Sequence, residues 1–197
     1  VPDAIGGGAG ATRAADASPG NVVIMSGPLV AVSSGDSPTS KTRALAEAAL
    51  EIGGGGHLID LIDLPADALL GRRQDQSVDD AVATAAGAGT LVLATPVYRA
   101  TYNGAMKAFL DRFDTNALHG TVVVLAATAA SPAHFLALDT GGRAVVASLG
   151  GWTVPTVVYA TGADFTDGRP HPSLLEVVGA ALDQARAVSR AMGSGQG

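Results

Sequence analysis

The sequence predicts a doubly wound parallel α/β sheet in one domain, and three observations carry the prediction. Continuous apolar runs recur at Leu29–Ser33, Thr90–Ala94 and Thr121–Ala127, the pattern of strands buried on both faces of a parallel sheet. Segments with apolar residues at helical spacing separate them, so strands and helices alternate. With 197 residues, 47% apolar and 15% charged, the chain is long enough for one sizeable core and short for two domains.

Residues 1–24 are a Gly/Ala/Ser/Asp mixture without periodicity and are expected to form a disordered tail, leaving residues 25–197 as the domain. The first strand is Leu29–Ser33. Ser40 is placed to cap a helix from Lys41 to about Ile52, with Ala44, Leu45, Ala48 and Ala49 on one face and Gly53–Gly56 ending it. His57–Asp63 alternates apolar and polar residues, as a less buried strand does. A helix follows from about Ser77 to Ala86. Thr90–Ala94 is the third strand, and Thr95-Pro96 should end it, because proline has no N–H for the ladder and pushes its predecessor into an extended conformation. From Gly104, Ala105, Phe109 and Phe113 recur at helical spacing, predicting a helix to about Asp114. Thr121–Ala127 is the fourth strand. A helix-like segment runs from Ala133 towards Leu149, interrupted by Gly141-Gly142. Pro155–Ala160 reads as the fifth strand, and Pro172 opens a last amphipathic helix to about Met192.

Composition excludes several functions. The net charge of −6 and a pI near 5 leave no basic patch for nucleic acid. Without cysteine there are no disulfides, thiolate metal sites or cysteine nucleophiles. The four histidines, His57, His119, His134 and His171, lie apart from one another and from carboxylates at ligand spacing, so no metal site is expected. No apolar run approaches the roughly 20 residues of a membrane span, and the start lacks a secretory pattern. A cytoplasmic protein is expected.

Chemistry concentrates in two loops. The stretch Thr95–Asn103 is polar and aromatic and leaves the carboxyl end of a central strand, where ligands bind in open α/β sheets. The first loop, Ser33–Thr42, carries six hydroxyl residues and Lys41 at a helix N-terminus, where free N–H groups and the dipole favour an anion. Gly35–Thr42 matches a nucleotide-triphosphate loop except at Ser40, where that loop needs glycine so that backbone can wrap the phosphates. Read alone, the loop fits either helix capping with turns or a single phosphate held mostly by hydroxyls.

The first loop ending Ser40-Lys-Thr42, with Thr-Pro-Val-Tyr98 and Gly104-Ala-x-Lys-x-x-Leu-Asp111, resembles the NAD(P)H-dependent FMN reductases of the flavodoxin-like fold. Thr95–Lys107 and Ala127–Asp139 are most similar to the flavin reductase of two-component alkanesulfonate monooxygenase systems. The resemblance covers Pro28 to about Leu182 and implies a flavodoxin-like sheet of five strands in the order 2-1-3-4-5. It also implies the site. Ser40, Lys41 and Thr42, with Ser37 as a further candidate, hold the FMN phosphate. Pro96, Val97, Tyr98 and Arg99 run along the isoalloxazine ring, and Thr128, Ala129, Ala130 and Ser131 close its other side. Tyr102 resembles an extra tyrosine found at a distorted helix start in the sulfonate-system reductases, at a subunit interface near the flavin. Where the family has Gly-Ser-Pro, this chain has Ser34-Gly35-Asp36, and Thr-Gly-Gly-Ser is replaced by Thr128-Ala-Ala-Ser131.

The implied activity is hydride transfer from NADPH or NADH to FMN, supplying reduced flavin to a transiently bound, flavin-dependent monooxygenase. A homodimer or homotetramer is implied, with neither nucleic acid nor membrane as partner. Such chemistry needs stacked rings more than an acid or base, and no catalytic side chain is named. A flavin-retaining quinone or azo reductase is the alternative that the same loops would serve. An electron carrier fits less well, because aromatics are only 4% of the chain.

Overall fold

The computed structural model describes residues 27–193, and the tail expected over residues 1–24 lies outside them. In chain order the elements begin with β1 (Leu29–Ser33), α1 (Lys41–Gly53), β2 (His57–Asp60), the single-turn α2 (Ala66–Leu69) and α3 (Gln76–Ala86). The long β3 (Thr90–Tyr98), the two-residue β4 (Thr101–Tyr102), α4 (Gly104–Leu110) and β5 (Val122–Ala129) follow. A π-helical turn at Leu138–Gly142 leads into α5 (Arg143–Ser148), then β6 (Trp152–Thr153), β7 (Val158–Thr161), the small hairpin β8 (Phe165–Thr166) and β9 (Arg169–Pro170), and α6 (Pro172–Gly193).

The strands lie in the order β2-β1-β3-β5, all parallel, and β6 and β7 share the far edge of β5. Counting β6 and β7 as one interrupted strand gives the flavodoxin-like order 2-1-3-4-5, as the resemblance implied. The apolar runs are continuous because alternate residues serve opposite cores. Val30, Val32, Leu91, Leu93, Val123, Leu125 and Ala127 pack against α3, α4 and α5. Ala31, Val92, Ala94, Val122, Val124 and Ala126 pack against α1 and α6. Among the described residues no helix is long and apolar enough to cross a membrane.

Five expectations about boundaries need correction. Helix α4 ends at Leu110, with Asp111 as its cap, instead of running to about Asp114. β2 stops at Asp60, and Leu61–Asp63 turn into a 3-10 helix instead of continuing the strand to Asp63. β3 does not end at Thr95-Pro96 but continues to Tyr98. The reason is positional: the N–H of Ser34 donates to the Ala94 carbonyl (3.0 Å) in the last rung with β1. Backbone groups alternate sides along a strand, so the missing N–H of Pro96 faces the side where β1 has already left, and no ladder bond is lost. The segment expected as one helix from Ala133 to Leu149 is a 3-10 turn at Pro132–His134, the π turn, and α5. Gly141-Gly142 fall in the π turn. Finally, the fifth strand is split where Pro155 removes a donor. Side chains take the place of the ladder there: Arg143 donates to the carbonyls of Val154 (2.7 Å) and Pro155 (2.6 Å), and Gln184 accepts the Thr156 N–H (3.0 Å).

Helix α1 starts where it should. The Ser40 side chain accepts the Arg43 N–H (3.1 Å), and Gly54 closes the far end at φ 92°. Gly56, at φ 153°, lets β2 start beside β1, because a Cβ there would lie 2.2 Å from the Leu29 carbonyl oxygen. Phe109 of α4 is fully buried and meets Phe113 edge-on at 5.3 Å between centroids. Phe109→Ala should therefore cost about 3–5 kcal/mol by urea denaturation, whereas Leu70→Ala, at a side chain 61% exposed, should cost less than about 1 kcal/mol.

Candidate functional site

The order of the sheet reverses between β1 and β3, and a crevice opens there at the carboxyl ends of the strands. β1 ends at Ser33, opposite Ala94, while β3 runs on beside β5 through Pro96, opposite Thr128. Three loops meet at this edge.

The first loop folds tightly onto itself. Ser40 N–H donates to the Ser37 carbonyl (3.0 Å), and Gly35 N–H donates to Ser33 Oγ (3.3 Å). A Cβ on Gly35 would lie 2.0 Å from Ser40 Oγ, so the serine expected there from the family pattern would collide with the helix cap. Ser40 Oγ serves as acceptor to Arg43, which leaves its own hydrogen for a ligand. Lys41 and Thr42 occupy the first turn of α1, whose N–H groups have no intrahelical acceptor. Lys41 is exposed and takes part in no ion pair among the described residues, whereas Arg43 is held by Glu47 (2.8 Å) and Asp60 (3.0 Å). A Cβ on Gly162 would lie 3.7 Å from Lys41 Nζ, so the turn after β7 borders the lysine. The Thr42 hydroxyl is buried and bonded to that of Thr128 at 2.6 Å. Two expected ligand residues thus tie α1 directly to the end of β5.

The second loop is an antiparallel hairpin, not the open loop expected over Thr95–Asn103. Val97 pairs with Tyr102 and Tyr98 with Thr101, leaving Arg99 and Ala100 as a two-residue turn. Both have positive φ, 53° and 64°. That geometry suits the twist of a hairpin but is normally filled by Asn or Gly, and each side chain there costs about 1–2 kcal/mol. The surroundings hold the turn in place. Asn103 Nδ2 donates to the Ser34 carbonyl (2.7 Å), its Oδ1 accepts the Met106 N–H (3.0 Å), and its N–H donates to Thr95 Oγ1 (3.1 Å). Tyr98 Oη donates to Asp36 Oδ2 (3.2 Å). Desolvation, then the hydrogen bond to Asp36 and its charge, push the Tyr98 phenol above its ordinary pKa, so it is protonated at neutral pH.

The third loop leaves β5. Tyr159 of β7 donates to the Ser131 carbonyl (2.6 Å), and Ser131 Oγ accepts the Ala133 N–H (3.4 Å). Between this loop and the hairpin lies a cleft of about 420 Å³ lined by Val97, Tyr98, Arg99, Ala129, Ala130, Ser131 and His134, within the usual range for ligand sites of about 300–1,000 Å³. Six of the twelve residues expected at the flavin line it. Pro96 and Thr128 are buried and paired near the ends of β3 and β5, next to it. Ser37, Ser40, Lys41 and Thr42 lie on the first loop and α1, joined to the cleft by the Thr42–Thr128 and Asp36–Tyr98 bonds.

Tyr102 does not line the cleft. It packs against the core beside α4, with the π turn next to it: a Cβ on Gly141 would lie 3.3 Å from its ring and 3.1 Å from Thr101 Oγ1. The distortion implied at the start of the Tyr102 helix is absent, since Asn103 caps α4 normally, and the π geometry occurs instead at Leu138–Gly142. Sequence reasoning missed Asn103, Thr95 and Tyr159 as supports. Asn-Gly after an aromatic was the only signal for the first, and nothing local marked the others. Asn103→Ala should lose the α4 cap and the Ser34 bond, about 2 kcal/mol in urea denaturation. Ala100→Gly, which relieves the left-handed strain, should instead stabilise by about 1 kcal/mol.

The family of NADPH-dependent FMN reductases matches residues 28–166, a span that runs from the start of β1 to the end of β8 and takes in all three loops. The chain is 40% identical over 153 residues to the NADH-dependent FMN reductase SfnF of Pseudomonas fluorescens, covering 73% of this chain and 82% of that one. It is 38% identical over 152 residues to the FMN reductase (NADPH) of Pseudomonas aeruginosa, covering 72% and 80%. Among solved structures it is similar to the apo form of an NADH:FMN oxidoreductase, with a TM-score of 0.74 and 35% identity over 81% of this chain and 88% of that one. With the sheet order, the hydroxyl-rich helix start and the cleft, these matches establish that the chain belongs to the NADPH-dependent FMN reductase family.

Proposed function

We propose that the chain passes a hydride from NADH or NADPH to FMN in the cleft between the hairpin and the β5 loop, and releases the reduced flavin to a partner monooxygenase. One observation carries the reading. The Thr42–Thr128 hydroxyl bond at 2.6 Å joins the anion-suited start of α1 to the strand end that opens into the cleft. A helix start suited to an anion and a cleft of ring-accommodating volume therefore share one sheet edge.

The residues fit the flavin. Ser37, Ser40, Lys41 and Thr42 supply hydroxyl donors, one ammonium and two first-turn N–H groups for a phosphate. Pro96, Val97, Tyr98 and Arg99 form one wall for the ring, and Thr128, Ala129, Ala130 and Ser131 the other. FMN, when bound, supplies the hydride-accepting chemistry. The protein's own work is orientation. Tyr98, Arg99, Ser131 and His134, which line the cleft, are all exposed, which would leave one ring face free for a nicotinamide. Arg99 at the rim offers a planar guanidinium to a nucleotide phosphate. An open face and a slot without tryptophan also favour a flavin that exchanges over one that is kept.

The test is nicotinamide oxidation at 340 nm in the presence and absence of added FMN. Turnover should require added FMN, and the protein should lose its yellow colour on gel filtration. Lys41→Ala should raise the KM for FMN about tenfold with kcat little changed, the mark of lost ground-state binding. Flavin that stays bound through gel filtration, with ping-pong kinetics towards a quinone, would assign the chain to the retaining reductases instead.

A further inference from the structure

We propose that Asp36 is the residue that keeps FMN exchangeable, its carboxylate opposing the phosphate of the flavin that the first loop receives. The inference rests on the FMN reading above and names a tuning residue within that site, not a catalytic one.

The charge balance of the first loop motivates it. Lys41 is the cation there outside any ion pair among the described residues, because Arg43 is engaged by both Glu47 and Asp60. Asp36 offsets that single charge. Although exposed, its carboxylate is directed towards the cleft wall: Oδ2 accepts the hydrogen bond of Tyr98, a residue that lines the cleft. Asp36 also immediately precedes the turn, closed by Ser40 N–H to the Ser37 carbonyl at 3.0 Å, that opens α1. The carboxylate therefore sits on the loop that leads into the donor-rich helix start and is bonded to a residue of the ring wall. A phosphate monoester carries close to two negative charges at neutral pH. It enters either against an anchored carboxylate or at the expense of the Tyr98–Asp36 bond, and both weaken binding. The donor-rich loop recognises the phosphate, and Asp36 limits how long it stays.

The experiment titrates wild type, Asp36→Asn and Lys41→Ala with FMN and with riboflavin, which lacks the phosphate, following flavin fluorescence at low and high ionic strength. Asp36→Asn keeps an acceptor for Tyr98 and removes the charge. It should tighten FMN about tenfold, leave riboflavin unchanged, and lose most of its effect at high salt. Unchanged FMN affinity, or equal tightening of both flavins, would overturn the proposal. Lys41→Ala separates the two levels. If it weakens FMN selectively while Asp36→Asn does nothing, the phosphate site stands and the role of Asp36 falls. If neither variant distinguishes FMN from riboflavin, the FMN reading of the loop falls with it.

Discussion

Strand β3 is longer than its neighbour β1, and the site depends on that mismatch. Pairing with β1 stops at Ala94, pairing with β5 continues to Pro96, and the chain goes on to Tyr98 before it turns back. The overhang leaves the first loop room to fold over the end of β1, and lifts Val97–Arg99 above the sheet as a wall. Pro96 is tolerated within the overhang, since its missing N–H falls on the side where no partner strand remains. A residue expected to end the strand instead marks the point at which it loses one neighbour and keeps the other.

The overhang ends in a strained turn. Arg99 and Ala100 both sit in the left-handed region, and a cost of about 1–2 kcal/mol each has to be offset by the contacts around them. Asn103 does most of this, binding the first loop, the end of β3 and the start of α4 with one side chain and its own N–H. The π turn supports the other side, where Gly141 admits Thr101 and Tyr102. Strain of this kind at the lip of a cleft is a feature of functional sites. It also gives Arg99 a defined position at the rim, where a flexible loop would not.

The donor set and the charge set of the first loop point in different directions. On the proposed reading, hydroxyls, N–H groups and Lys41 attract a phosphate, and Asp36 beside Tyr98 opposes it. The proposed exchange of flavin calls for recognition without long residence, and such a loop would combine the two.

Much of the fold was legible in the chain because burial on both faces makes a central parallel strand a continuous apolar run, and because Ser40, Gly54 and Pro172 mark helix ends through their own backbone chemistry. The three loops were legible as well, through the hydroxyls of the first, the aromatics of the second and the family pattern of all three. What the chain did not show was where strands lose their neighbours. The stop of β2 at Asp60, the passage of β3 through Pro96 and the split around Pro155 all depend on which partner is adjacent at that level of the sheet. The hairpin escaped notice because Arg99-Ala100 lacks the residues its turn prefers, and the packing of Tyr102 against Gly141 was not legible because the two lie 39 residues apart. Local pattern thus determined the elements and the chemistry at their ends. Only the tertiary structure, through contacts between residues distant in sequence, decided that Thr42 would meet Thr128, that Asp36 would meet Tyr98, and that the cleft would lie between the hairpin and the β5 loop.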